Sequence, residues 1–224
     1  MGFTVAGPDR FLGCGHPDLR ENLPALLGLM ESTDRGQTWH SLSLLGEVDF
    51  HAIEAKHGQV YGYDATSETF LVSPDGRTWQ RRAQVPLADY TVAPTRADLV
   101  LATGKAGLLR STDEGRSFLP LPGPPGLDVL DWTDGGLFGL AADGSVWVSG
   151  DSGDSWQRRG DIGSKPQAVP RIPAKVEPGA PVLAARADGH ELGAAWSGGA
   201  AAERVQLRVV AAFYMRIAIG RVNR

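Results

Sequence analysis

Apolar residues in this chain arrive in short runs that recur as a set. Phe50-His-Ala-Ile-Glu-Ala55, Gln59-Val-Tyr-Gly-Tyr63 and Thr69-Phe-Leu-Val-Ser73 are followed by Trp79-Gln-Arg-Arg82. The next set is Tyr90-Thr-Val-Ala93, Leu99-Val-Leu-Ala-Thr103, Leu108-Leu-Arg-Ser111 and Phe118-Leu119. A third is Val129-Leu-Asp-Trp132, Leu137-Phe-Gly-Leu140, Val146-Trp-Val-Ser149 and Trp156-Gln-Arg158. Each run is rich in β-branched and aromatic residues and is bounded by Gly, Asp or Ser, which is how short strands and turns read. Four antiparallel strands in about 40 residues is the size of a propeller blade, and helix signals are nearly absent. An earlier set is partial, with Thr4-Val-Ala6, Phe11-Leu-Gly-Cys14 and Leu27-Gly-Leu-Met30 as strands around a long Gly15–Pro24 connection.

One turn closes every set. Ser32-Thr-Asp-Arg-Gly-Gln-Thr-Trp39 returns one residue shorter as Ser73-Pro-Asp-Gly-Arg-Thr-Trp79. It returns at full length as Ser111-Thr-Asp-Glu-Gly-Arg-Ser-Phe118 and Ser149-Gly-Asp-Ser-Gly-Asp-Ser-Trp156. From Asp34 to Asp75, Asp113 and Asp151 the intervals are 41, 38 and 38 residues. The expected parts are a carboxylate accepting turn N–H groups, a glycine (Gly36, Gly76, Gly115, Gly153) taking positive φ, and a hydroxyl tying turn to strand. Trp39, Trp79, Phe118 and Trp156 offer apolar faces to bury between blades. The pattern S-x-D-x-G-x-[ST]-[WF] resembles the Asp box (BNR repeat) of sialidases, sortilin-type receptors and photosystem II assembly factors. In such families these turns lie away from the ligand face, so the resemblance implies a structural role for all four Asp residues.

The repeat ends untidily. Val182-Leu-Ala-Ala-Arg186 with Asp188-Gly189 begins a fifth period, but no turn motif follows Leu192. Residues 193–224 are Ala/Gly- and Arg-rich, which divides the chain into repeat blades over 1–192 and a divergent tail. The expectation is an all-β propeller of about four and a half blades, an incomplete six- or seven-bladed ring. The change after Leu192 resembles a shift of reading frame, which the other frames of the coding DNA would reveal as a further turn motif. A five-bladed ring with a divergent last blade remains the alternative.

Composition narrows function by exclusion. A net charge of −4 gives no reason to expect nucleic acid. No apolar run approaches the ~18 residues of a membrane span, and no signal peptide stands at the start, although the relatives implied by the resemblance are mostly exported. Single Cys14 excludes an intrachain disulfide and a Cys-rich metal site. No cofactor or metal is indicated.

Binding residues concentrate on loops. The Gly15–Pro24 connection carries His16, Asp18, Arg20 and Glu21, a set suited to a polar ligand or cation. Interblade loops expected on the same face add Glu47, Asp49 and His51, then Asp89 and Tyr90, then Asp128 and Asp131. Tyr61 and Tyr63 are expected to pack within a strand. Pro170-Arg-Ile-Pro173 matches part of a sialidase arginine motif, but it follows the turn repeats and lacks the preceding aromatic. Over residues 3–192 the chain is similar to bacterial secreted proteins called exo-sialidase- or glycosyl-hydrolase-like, a name that follows the repeat. The reading is therefore a binding or scaffold module with a carbohydrate or protein ligand. An exo-sialidase-like glycoside hydrolase with most of its catalytic residues in missing blades, and an assembly factor of the photosystem II type, are its rivals.

Overall fold

A computed structural model describes residues 2–18, 20, 22–162, 182–185 and 191–194. The first sheet runs β1 (Phe3–Val5), β2 (Phe11–Gly13), β3 (Leu29–Ser32) and β4 (His40–Ser43). The second is β5 (Phe50–Lys56), β6 (Gln59–Asp64), β7 (Thr69–Ser73) and β8 (Gln80–Gln84). The third is β9 (Asp89–Val92), β10 (Val100–Gly104), β11 (Gly107–Ser111) and β12 (Leu119–Pro120), and the fourth β13 (Leu127–Thr133), β14 (Gly136–Ala141), β15 (Ser145–Ser149) and β16 (Gln157–Asp161). Every sheet pairs its strands antiparallel in sequence order. The lone hairpin β17 (Val182–Ala185) and β18 (Glu191–Ala194) pairs Val182 with Ala194. The Asp188-Gly189 match, the Pro170–Pro173 segment, Glu21 and the tail beyond Ala194 lie outside the described residues.

First strands β1, β5, β9 and β13 neighbour one another in turn, and one apolar core fills each gap between blades. Between the first and second blades Leu12, Leu29 and Leu42 meet Phe50, Ile53 and Leu71. Tyr61, Phe70 and Val72 meet Tyr90, Val92 and Leu109 across the next gap, and Leu99, Leu101 and Leu108 meet Leu130, Trp132 and Leu137 across the third. A sheet buried on both faces has no polar side to alternate with, which is why Thr69–Ser73 is buried throughout. Outer strands keep one wet face and read as polar: the exposed Gln80 and Arg81 of β8, and Gln157 and Arg158 of β16. β4, with the polar sequence His-Ser-Leu-Ser, is an outer strand of this kind and carries too little apolar pattern to be expected from sequence.

Register places equivalent residues of each blade side by side. The turn serines Ser32, Ser73, Ser111 and Ser149 pair with Phe11, Val60, Val100 and Leu137. Two residues beyond those partners stand Gly13, Gly62, Ala102 and Gly139, and at the three glycines the lack of a side chain admits a ring. A Cβ on Gly13 would sit 3.2 Å from the Trp39 indole, and one on Gly139 3.1 Å from that of Trp156. At Gly62 the ring is Phe50, on which Trp79 rides with centroids 5.0 Å apart.

The inner strands are joined by side chains rather than by a backbone ladder. Register makes Thr4, Glu54, Thr91 and Asp131 equivalent, and the first three each accept the N–H of a residue in the following blade. Ala55 N donates to Thr4 Oγ1 at 3.2 Å, Val92 N to Glu54 Oε2 at 3.0 Å, and Trp132 N to Thr91 Oγ1 at 3.1 Å. Thr91 and Trp132 are both buried, so the N–H has no access to water if the hydroxyl is removed. Thr91→Val, which keeps the shape, is expected to cost about 1–3 kcal/mol in equilibrium urea unfolding. Thr91→Ser, which keeps the acceptor, should cost less than about 1 kcal/mol. Equal stabilities for the valine variant and the parent would contradict the bond.

Candidate functional site

Backbone hydrogen bonds define two faces. On one, the recurrent turn meets the hairpin between the first two strands of its own blade: Arg35 N donates to Asp9 O at 3.2 Å and Glu114 N to Asp98 O at 3.0 Å. On the other, the connections between blades meet the turns between second and third strands, as where Ala65 N donates to Asp49 O at 3.0 Å. The described candidates His16, Asp18, Arg20, Glu47 and Asp49 belong to this second, loop face.

The long first-blade connection is a built loop. Leu27 N donates to Gly15 O at 3.1 Å and closes its base, and Gly46 N donates to Leu26 O at 2.8 Å and welds it to the β4–β5 connection. Gly28 has φ +61 and lies so close to the Leu44 carbonyl that a Cβ would be 2.3 Å from its oxygen, so only glycine fits there. His16 Nδ1 is 2.8 Å from Ala25 O. A carbonyl only accepts, so Nδ1 carries the proton and Nε2 faces outward. There it stands 3.9 Å from Asp49 Oδ1, while His51 Nε2 approaches Asp49 Oδ2 at 3.2 Å. The loop face thus brings His16, Asp49 and His51 together, with Asp49 largely covered and both imidazoles half-exposed. Among the described residues no cluster has the geometry of a metal centre.

The other predicted residues are spread around this cluster. Asp18 closes on Arg20, taking its Nε at 2.9 Å and Nη2 at 2.6 Å. Glu47 is exposed. Asp89, Tyr90, Asp128, Asp131 and His51 lie within inner strands rather than in connections: His51, Tyr90 and Asp131 fall inside the apolar runs themselves, and the strands extend past those runs to take in Asp89 and Asp128. Asp89 Oδ2 accepts Leu130 N at 2.9 Å, tying the third blade to the fourth. Tyr61 and Tyr63 are buried in β6, and Tyr63 Oη holds the next connection by accepting Leu87 N at 2.9 Å and donating to Val85 O at 3.1 Å. Cys14 donates to Phe50 O, and burial pushes its thiol up to about 11, which leaves it inert beside the cluster.

Among the described residues, two of the three exposed large hydrophobic residues lie on the same loops. Leu23 and Leu45 are each 37% exposed. Their successors Pro24 and Gly46 abut, a Cβ on Gly46 falling 3.3 Å from Pro24 Cβ, so the two leucines flank one junction.

Sequence reasoning missed the channel. Lys56 directs its ammonium to three acceptors in three blades: Glu54 Oε1 at 2.5 Å, Val92 O at 2.7 Å and Trp132 O at 2.8 Å. Beside it His57 Nε2 reaches Ala93 O at 2.7 Å. The available signal was Glu54 and Lys56 two apart on one strand, hence on one side of the sheet, within an apolar run.

The recurrent turn uses its carboxylates fully. Asp113 Oδ1 takes Ser111 Oγ at 2.7 Å and Ser117 N at 2.9 Å, and Oδ2 takes Ser117 Oγ at 2.7 Å. Asp34, Asp75 and Asp151 repeat the arrangement with Thr38, Thr78 and Ser155. Hydrogen bonds from the Thr38 hydroxyl and N–H hold Asp34 at about 2, and N–H bonds from Thr78 and Arg77 do the same for Asp75. At Asp113 burial works upward, but the Ser117 and Ser111 hydroxyls bring it to about 2. A general acid needs the opposite shift.

With four blades of four antiparallel strands and inner strands side by side, the fold is that of an incomplete β-propeller. Solved structures similar to it carry the same fold. YCF48 bound to D1 peptide matches with a TM-score of 0.53 at 14% identity, over 86% of this chain and 68% of that one. YCF48 from Cyanidioschyzon merolae matches at 0.51 and 12% identity, over 82% of this chain and 62% of that one. The GH74 xyloglucanase from Xanthomonas campestris matches at 0.53 and 18% identity, over 82% of this chain but 35% of its own. No family model matches the sequence, and no curated protein does.

The depressed carboxylates set an acid limit. Their folded values near 2 lie below the ordinary 3.8, so the unfolded chain takes up protons first as pH falls. The stability they lend is complete above about pH 4 to 5 and is lost as pH falls towards about 2. Thermal unfolding should show a midpoint that drops across this window. Asp113→Asn should melt lower at neutral pH, fall less steeply and converge with the parent near the acid end. Parallel curves would show that the turn does not titrate this way.

Proposed function

We propose that this chain is a non-catalytic propeller of the Asp-box type that binds a protein or peptide segment on the loop face of its first blade. One observation carries the reading: Leu23 and Leu45 stand exposed on a loop pair welded by backbone hydrogen bonds, beside the His16–Asp49–His51 cluster. An apolar pair ringed by imidazole and carboxylate groups fits a protein surface, with an apolar centre and a polar rim. The Asp18–Arg20 pair and Glu47 belong to that rim. Scaffold rigidity supports the same role, since a preformed surface loses little entropy on binding. Among solved propellers, one similar to this chain is bound to a peptide, the D1 peptide of YCF48.

The rival is hydrolysis of a glycoside, favoured by likeness to the xyloglucanase propeller, of whose length this chain spans about a third. That reading places the acid and base outside the described blades, because the four turn carboxylates are held ionised by their own turns.

Selection of peptides from a random display library on the purified protein separates the two. Selected peptides should lose at least about tenfold in affinity, roughly 1.4 kcal/mol, in Leu23→Lys and Leu45→Lys. They should keep it in Leu119→Lys, whose side chain is 69% exposed on the outer strand of the third blade. Equal binding by all three variants, or turnover of xyloglucan or aryl glycosides without peptide binding, would overturn the proposal.

A further inference from the structure

The second recurrent turn is one residue short, and the deletion falls at a defined place. In the longer turns, the residue before glycine adopts a left-handed conformation: Arg35 at φ 63, Glu114 at φ 59 and Ser152 at φ 62. The N–H groups of Arg35 and Glu114 staple their turns to the hairpin of their own blade, whereas among the described residues Ser152 N, in the full-length fourth turn, makes no such bond. Asp75 runs directly into Gly76, so this residue is missing. Among the described residues no backbone bond joins the second turn to the His57–Gly58 hairpin. Beside this turn lies a crevice of about 600 Å³ on the turn face, between the first two blades. That volume is in the range of small-molecule sites.

Its lining divides sharply. Val5, Val60, Pro8 and Pro74 give it apolar walls. Lys56 and Asp75 border it with their polar atoms already occupied, as described above. Three polar groups have capacity to spare. Arg10 uses Nε on Glu31 Oε1 at 2.6 Å, and its two terminal nitrogens have no hydrogen-bond partner among the described residues. Glu31 is shared with His40 Nε2 at 3.1 Å, so Arg10 is not its sole hydrogen-bond partner. His57 donates through Nε2 to Ala93 O, which leaves Nδ1 as an acceptor. The Gln59 amide makes no hydrogen bond among the described residues.

We infer that this crevice is a second binding site, on the face opposite the proposed peptide surface, for a small apolar carboxylate that also carries a hydrogen-bond donor. The outer fork of Arg10 matches a carboxylate in two parallel bonds. The apolar body lies against the valines and prolines, and the donor meets His57 Nδ1.

Titration with 4-hydroxyphenylacetate, followed by backbone amide NMR, tests this. The amides of Gly7, Gly58, Gln59 and Asp75 should shift and saturate by about 10 mM, an undemanding affinity for a ligand of this size. The neutral analogue 4-hydroxyphenylacetamide should bind at least fivefold more weakly, a preference that Arg10→Gln should abolish. Inserting a glutamate between Asp75 and Gly76, which lengthens the turn that borders the crevice, should remove the shifts. Equal binding of acid and amide by the parent, shifts centred elsewhere, or no shift at all would overturn the inference. Arg10→Gln keeps the test valid should the insertion fail to fold.

Discussion

Everything in this fold depends on the contact between the glycine of a recurrent turn and the blade before it. Gly76 sits where a Cβ would be 2.9 Å from Leu42, Gly115 where it would be 2.2 Å from Phe70, and Gly153 where it would be 2.9 Å from Leu101. Each of those side chains belongs to the preceding blade. Polar bonds fix the same approach: Ser43 Oγ donates to Gly76 O at 2.6 Å, and Ala83 N, at the equivalent place one blade on, donates to Gly115 O at 3.0 Å. The serine and aspartate of the motif hold the turn so that its glycine faces outward along the ring. What reads in sequence as a turn within one blade is in space the fastener between two.

This fastener has consequences for where chemistry can occur. Its carboxylates are committed to the turn and held ionised, so the most repeated acidic residues are the least available for proton transfer. On the channel side, Thr4, Glu54 and Thr91 bind each blade to the next, and Lys56 gathers three blades about one ammonium. Side chains free to meet a ligand are left on the loops, where the scaffold is rigid and the sequence unconstrained by the repeat. The His16–Asp49–His51 cluster with Leu23 and Leu45 is one such place. The crevice beside the shortened second turn, bordered by Arg10 and His57, is another.

Legibility in the sequence followed repetition. Strands β5 to β7, β9 to β11 and β13 to β15 were marked by apolar runs because both faces of each sheet are buried. β4 was hidden, because an outer strand with a single buried leucine, Leu42, has no pattern to show. His16 and Asp49 were visible as loop residues, but their meeting depends on the Leu26–Gly46 bond, which joins two connections and leaves no mark in either. Glu54 was read as a strand residue and Lys56 fell just past the run, since nothing local says that a lysine spans a channel. The small position shared by Gly13, Gly62, Ala102 and Gly139 is a signal present in the sequence but interpretable only once the registers align.

The docking of turn on blade is tested most directly by a double-mutant cycle on Gly115 and Phe70. Gly115→Ala should lose the cost of a left-handed alanine, about 1–2 kcal/mol, and in addition the cost of displacing the Phe70 ring. Phe70→Val, which has no atom at the δ positions, should remove the second cost, so the pair should be coupled by at least about 1 kcal/mol. Gly58→Ala, where a Cβ meets nothing within 4 Å, should combine additively with Phe70→Val. Additivity within about 0.5 kcal/mol for Gly115→Ala with Phe70→Val would mean that the turn does not rest on the preceding blade.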